Sequence, residues 1–222
     1  MTSSKPTLSP VVLSAPAGTG KTTIAQTLVE REEDFSFSIS VTTRAPRPGE
    51  RDGVDYWFVS RQEFRTMVER GELAEWAEVH GDLYGTPHES LIQAGIGGRH
   101  VILDIDVQGA LQIREAVPEA LLLFILPPSM EVLLQRLRGR GTEGQGALRR
   151  RLTTALRELE AAETFDFFVV NEDLEKAVAE VLTLARTGKA FPGAASGSLD
   201  DAWKLRLEIE TLLQREHLLE ND

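Results

Sequence analysis

Apolar residues along this chain gather into short unbroken runs, each followed by a stretch with helical periodicity. PVVLSAP precedes a helical pattern opening near Lys21, HVILDID precedes QGALQIREAV, ALLLFILP precedes SMEVLLQRL, and FDFFVVN precedes LEKAVAEVLTLARTG. Apolar runs of about four to eight residues fit strands covered on both faces, and their alternation with helices is the pattern of a parallel sheet between helical layers. The expected fold is α/β, a three-layer core around a parallel sheet, built from residues 1–35, 99–135 and 158–187. From 36 to 98 the texture changes. FSFSISVTTR, DYWFVS and AEWAEVH alternate and carry aromatics, and PRPGERDG interrupts them, so a small β-rich insertion is expected there.

Two further segments stand apart. In RLRGRGTEGQGALRRRLTTALR, residues 136–157, arginines flank a glycine-rich turn, which predicts a mobile cationic helical lid. After Gly188 the stretch FPGAASGSLDD has linker composition, and Ala202, Leu205, Ile209, Leu212 and Leu213 then share one helical stripe. Residues 188–222 are therefore read as a linker and a C-terminal helix that docks on its own domain or contacts another subunit. No internal repeat is seen.

Composition narrows the function. The chain has 222 residues, enough for a substantial core, and its 24 basic against 35 acidic residues give a net charge of −11. Such a balance disfavours non-specific nucleic-acid binding. Cysteine is absent, so disulfides, thiolate metal sites and a cysteine nucleophile are excluded. No run of about 18 apolar residues occurs, and a soluble, unexported, cytoplasmic chain without a membrane partner is expected. Histidines 80, 88, 100 and 217 lie far apart, with no metal-binding spacing. Any metal is expected to arrive with a substrate.

The residues Ser14 to Thr23 read SAPAGTGKTT, an apolar strand, a glycine-rich turn and a helix start. Gly18 and Gly20 permit positive φ and close backbone approach, so successive N–H groups can line one concavity at a helix N-terminus. That concavity suits a triphosphate, with Lys21 between the β- and γ-phosphates and the Thr22 hydroxyl on the Mg²⁺ that bridges them. The phosphate-loop pattern G-x-x-x-x-G-K-[ST] is met except at its first position, where Ala15 replaces glycine; Pro16, Ala17, Thr19 and Thr23 complete the loop. Many nucleotide hydrolases and transferases share this motif, so it leaves the phosphoryl acceptor open.

The insertion opens with SISVTTRAPRPGERDGVDYWF, where two guanidinium forks, Arg44 and Arg47, and the Tyr56 phenol match the oxygens of a monophosphate. An isolated R-x-x-R would read as a solvated basic loop. Taken with the phosphate loop and with EWAEVHGDLYGT, VILDIDVQG, RLRGRGTE and VVNED, in this order over roughly residues 10–187, the motifs resemble those of guanylate kinase. The linker and tail lie outside the resemblance.

That resemblance implies a nucleoside-monophosphate kinase fold with core, monophosphate-binding and lid regions, transferring the γ-phosphoryl of ATP to GMP or dGMP in purine nucleotide metabolism. Its partners would be ATP with Mg²⁺ and GMP, in a monomer or homodimer. By the same likeness, Arg44, Arg47, Tyr56 and Tyr84 hold the GMP phosphate, and Ser40, Glu75, Thr86 and Asp106 surround the guanine. The chemistry of Glu75 supports this independently, because one carboxylate accepts both the N1–H and the 2-amino group of guanine. Asp104 is expected on the metal's water shell or on Lys21, and Asp106 toward GMP, both on one face of a strand; the alternative is that they cap the following helix. Arg140 and Arg151 resemble lid arginines that reach the transferring group, with Arg136 on the ATP side. Asn171 either contacts the adenine or ribose or shapes a turn. Phosphoryl transfer needs alignment and countercharge more than covalent help, so Lys21, Arg44, Arg140 and Arg151 are the catalytic candidates. The competing reading is a catalytically inactive guanylate-kinase-like protein-interaction module, which would typically lack the phosphate loop and lid arginines kept here.

Overall fold

The computed structural model describes residues 9–79, 81–95, 98–138, 145–188 and 196–219. In chain order the elements are β1 (Val11–Ser14), α1 (Lys21–Arg31), β2 (Phe35–Phe37), β3 (Val41–Thr42), β4 (Trp57–Phe58), α2 (Arg61–Glu69), β5 (Leu73–Val79) and β6 (Asp82–Pro87). There follow α3 (His88–Gly95), β7 (His100–Asp104), α4 (Val107–Ala116), β8 (Leu121–Leu126), α5 (Met130–Arg138), α6 (Gln145–Glu160), β9 (Phe167–Val170), α7 (Leu174–Thr187) and α8 (Leu199–Leu219). One sheet has the order β2-β7-β1-β8-β9 and the other β4-β3-β6-β5. The backbone divides into two compact units, Met1–Val12 with Val29–Leu121 and Leu13–Leu28 with Leu122–Asp222.

In the first unit, β2 pairs in parallel with β7, with Phe35 opposite His100 and Phe37 opposite Ile102. The stretch read from the sequence as the start of the β-rich insertion therefore gives its first strand to the parallel sheet, because Phe35 is apolar and buried there. The four-stranded sheet is mixed. β3 runs parallel to β4 and antiparallel to β6, which pairs antiparallel with β5. Its small core joins Val41, Phe64 and Leu83, with Val59, Met67, Val68 and Leu73 against them. Helix α2 starts where Ser60 accepts from the Glu63 N–H and Glu63 accepts in return from the Ser60 N–H, a capping box that satisfies two orphan donors.

In the second unit, β8 and β9 are parallel in the register Leu123–Phe167 to Leu126–Val170, and β8 is buried along nearly its whole length. Helix α7 starts on the Asp173 cap and ends at Gly188, whose φ of 61° closes the last turn in the left-handed region that a side chain would oppose. The tail helix α8 packs against α5 and α6, burying Ala202, Leu205 and Ile209 while Leu212 and Leu213 stay half-buried. The stripe read from the sequence thus docks within its own unit. Among the described residues, no helix is long and apolar enough to cross a membrane.

Candidate active site

The glycine-rich turn after β1 is shaped by short contacts within the second unit. The Thr19 N–H and hydroxyl both donate to the Pro16 carbonyl, at 3.3 and 3.0 Å, and Thr19 is buried. Gly18 and Gly20 have φ of 87° and 91°, as the motif requires. The Thr19 carbonyl accepts from Asn171 Nδ2 at 2.7 Å and from Arg136 Nη1 at 3.1 Å, while Arg136 Nη2 donates to the Asn171 carbonyl at 3.0 Å. Because a trans peptide directs its N–H opposite its C=O, fixing the Thr19 carbonyl also aims the Gly20 N–H the other way. A Cβ on Gly20 would run into the Asn171 amide, so the turn and its brace fit only without a side chain there.

Helix α1 begins at Lys21 and has no acidic residue in its first turn. A cation at this end opposes the helix dipole, an arrangement that suits an anionic ligand rather than the isolated helix. Lys21 is half-buried, and Thr22 and Thr23 are exposed. Ala15, in the motif's first position, is buried at the end of β1, as is Pro16, whereas Ala17 is exposed. Asn171 has its amide nitrogen committed to Thr19, so its observed work is on the shape of the loop. Burial lowers the pKa of Arg136 from its ordinary value, and the guanidinium is anchored on two backbone carbonyls. Arg151 Nη1 donates to the Leu137 carbonyl at 2.9 Å, tying α6 to α5. Arg140, with Gly139, Gly141 and Gly144, lies outside the described residues, and Gly146, read from the sequence as part of the flexible turn, sits in the first turn of α6.

In the first unit, Arg44 is the hub of an ordered cluster. Its Nη1 and Nη2 meet Glu50 Oε2 and Oε1 at 3.0 and 2.9 Å, Nη1 also reaches the Ala45 carbonyl at 2.8 Å, and Nε donates to the Tyr84 hydroxyl at 3.2 Å. Its guanidinium carbon lies 5.5 Å from the centre of the Tyr56 ring, and the Tyr56 and Tyr84 rings meet edge-on at 6.2 Å. The hydrogen bond from Arg44 holds the Glu50 carboxyl below its usual range, and the same contact raises Arg44. Burial, aided by the Asp104 charge, pushes the Tyr56 phenol up, keeping it a neutral donor. The Arg47 N–H donates to Glu50 Oε2 at 2.7 Å while its side chain is exposed. The structure thus brings Arg44, Tyr56 and Tyr84 together and ties Arg47 to them through Glu50. Reading single residues missed Glu50, although it closes the run TTRAPRPGE.

The second cluster of this unit surrounds a buried carboxylate. Glu75 is 4% exposed, and its Oε1 accepts from the Thr86 hydroxyl at 2.5 Å, Thr86 being its cross-strand neighbour. A register shift between Leu73 and Glu75 interrupts the β5–β6 ladder just before this residue, the kind of irregularity that re-aims a side chain. The other oxygen, Oε2, comes so close to Gly109 in α4 that a Cβ there would stand 2.6 Å away. Asp106 and Asp104 correct one expectation. The strand β7 ends at Asp104, so Asp106 does not share its face; it is the N-cap of α4 and accepts from the Gly109 N–H at 2.8 Å. Capping thereby explains Asp106 locally and sets it beside the residue that abuts Glu75. Ser40 is half-buried, and its carbonyl accepts from the Trp57 N–H at 2.9 Å. Among the described residues, no three His, Asp or Glu side chains group as a metal site would need.

Comparison with known proteins bears on this arrangement. The guanylate kinase family model matches residues 7–187. The chain is 50% identical over 173 residues to the guanylate kinase of Corynebacterium diphtheriae, covering 77% of this chain and 91% of that protein. It is also 50% identical over 176 residues to the guanylate kinase of a Mycobacterium species, covering 78% and 89%. The crystal structure of guanylate kinase from Anaplasma phagocytophilum is similar with a TM-score of 0.65 and 36% identity, over 84% of this chain and 88% of that one.

Proposed function

The chain belongs to the guanylate kinase family, and from that premise we propose that it transfers the γ-phosphoryl group of ATP to GMP or dGMP, releasing ADP and GDP or dGDP, in cytoplasmic purine nucleotide metabolism. The observation that carries the reading is the buried Glu75 carboxylate, with one oxygen on Thr86 and the other against the start of α4. Guanine presents the N1–H and 2-amino donors side by side, so one such carboxylate accepts both. Adenine has a lone pair at N1 and no 2-amino donor, and would leave a buried charge unanswered. A charge-assisted hydrogen bond contributes about 1.5–3 kcal/mol, and the unpaired group adds a penalty, so discrimination of several powers of ten is expected.

In this reading Ser40, Thr86 and Asp106 join Glu75 around the base, and Arg44, Arg47, Tyr56 and Tyr84 take the monophosphate. Ala15 to Thr23 cradle the phosphates of ATP, with Arg136 and Asn171 supporting the loop. Mg²⁺ enters with ATP as part of the substrate, with the Thr22 hydroxyl and, through water, Asp104 as its oxygen partners. Charge builds on the oxygens of the transferring group, and Lys21, Arg44, Arg140 and Arg151 supply the countercharge. No general base is assigned, because the phosphate monoester dianion is already a nucleophile. Residues 136–157 act as a lid that excludes water, which would otherwise compete as acceptor. The test is a coupled assay with ATP, Mg²⁺ and each of GMP, dGMP, AMP, UMP and CMP. Turnover with GMP and dGMP alone is expected, and equal use of AMP or no GDP at all would refute the reading.

A further inference from the structure

The strand that carries Glu75 is an outer strand. Among the described residues β5 has β6 on one side and no strand on the other, so the edge of its backbone must find partners elsewhere. At Trp76 both edge groups meet one side chain. The Trp76 N–H donates to Gln112 Oε1 at 3.0 Å, and Gln112 Nε2 donates to the Trp76 carbonyl at 2.8 Å. A primary amide carries the same donor and acceptor as a peptide, so Gln112 serves this edge as a one-residue neighbouring strand.

Gln112 lies three residues after Gly109, on the same face of α4, and Gly109 is the residue that abuts Glu75 Oε2. One helix face therefore grips the backbone beside Glu75 and gives the carboxylate its room. The grip lies immediately after the register shift between Leu73 and Glu75, where the ladder is interrupted. Strand register there determines which face a side chain occupies, and the Thr86 hydroxyl donates to the Oε1 of Glu75.

We propose that Gln112 is a positioning residue for base selection: its amide clamps Trp76 and so holds both oxygens of Glu75 in line with two adjacent donors on the base. The inference rests on the reading of Glu75 as the group that meets guanine. Gln112 acts through Glu75, whereas Gly109 contributes the missing Cβ that would otherwise displace Oε2.

The experiment is a double-mutant cycle with Gln112→Met, which keeps the side chain's length and removes its amide, and Glu75→Gln. KM is measured for ATP, for GMP and for inosine monophosphate, which keeps N1–H and lacks the 2-amino group. Gln112→Met is expected to raise the GMP KM roughly fivefold to tenfold, the loss of two neutral hydrogen bonds acting through one carboxylate, with the ATP KM unchanged. The preference for GMP over inosine monophosphate should fall with it. In the Glu75→Gln background the same change should add less than about twofold, because the group being positioned has already lost its charge. Gln112→Glu, which keeps the acceptor for the Trp76 N–H and loses the donor, should fall between wild type and Gln112→Met, and it serves if the methionine variant does not fold. An unchanged GMP KM and base preference in Gln112→Met, or a full additive effect in the double variant, overturns the positioning role while leaving Glu75 as the base reader. If Glu75→Gln itself leaves the GMP KM unchanged, base reading by Glu75 fails and the proposal fails with it.

Discussion

Asn171→Ala isolates the brace that holds the phosphate loop. The residue follows β9 and is buried, and its amide donates to the Thr19 carbonyl at 2.7 Å, 152 residues away in sequence. Arg136 reaches the same carbonyl at 3.1 Å and the Asn171 carbonyl at 3.0 Å, so the three residues form a closed set of hydrogen bonds. Removing the amide deletes one of these bonds but leaves the Thr19 carbonyl satisfied by Arg136. The cost is the net worth of one hydrogen bond, about 1 kcal/mol, plus a packing loss of similar size for the vacated space. A total of about 1–3 kcal/mol lowers Tm by roughly 3–10 °C for a chain of this length. The functional effect should exceed what destabilisation alone produces, because the Thr19–Gly20 peptide is then held by Arg136 alone and its N–H is aimed less firmly at a phosphate. The ATP KM should rise severalfold while the GMP KM stays within about twofold, since no GMP contact is touched. Thermal melts and steady-state kinetics with each nucleotide varied make the measurement. Unchanged Tm together with unchanged ATP KM would show that the brace does not shape the loop, and an equal rise in both KM values would point to general loosening.

Further outcomes are expected. Lys21→Ala should abolish most turnover with little change in Tm, because the residue sits half-buried at the start of α1 and supplies charge rather than packing; full activity would contradict its role. Glu50→Gln should raise the GMP KM severalfold and spare ATP, because the two-point grip on Arg44 loses its charge. Since Arg44 holds Glu50 below the ordinary carboxyl range, that grip should persist at neutral pH and be lost as pH falls through the lowered value, a trend visible in the GMP KM measured toward acid pH. At Glu180 the sign is reversed. Burial raises its pKa above 4.5 despite hydrogen bonds from the Ser196 N–H and hydroxyl, so its contribution to stability is complete below that value and declines as pH rises through the raised one. Melting curves of wild type and Glu180→Gln should therefore diverge in favour of the variant from acid toward neutral pH, and parallel curves would reject the assignment.

Much of this protein is readable without coordinates, because the strongest signals are local. Strands and helices alternate with the apolar pattern, Gly18 and Gly20 mark the turn that needs positive φ, Gly188 marks the end of a helix, and the order of motifs marks the family. The pairing of particular side chains is another matter. The sequence places Asp104 and Asp106 on one strand face, with capping of the following helix as the alternative, yet the strand stops between them and Asp106 becomes the cap. It leaves Asn171 open between a nucleotide contact and a turn former, and only packing shows its amide on the Thr19 carbonyl. Glu50 closes the run TTRAPRPGE, but its grip on Arg44 is not spelled out there, and Gln112 on Trp76, 36 residues apart, carries no local signature at all. Periodicity and turn chemistry depend on neighbours a few residues away and so are written along the chain. Which donor meets which acceptor depends on how distant elements pack, and that was decided only when β5 lay against α4 and β9 brought Asn171 to the loop after β1.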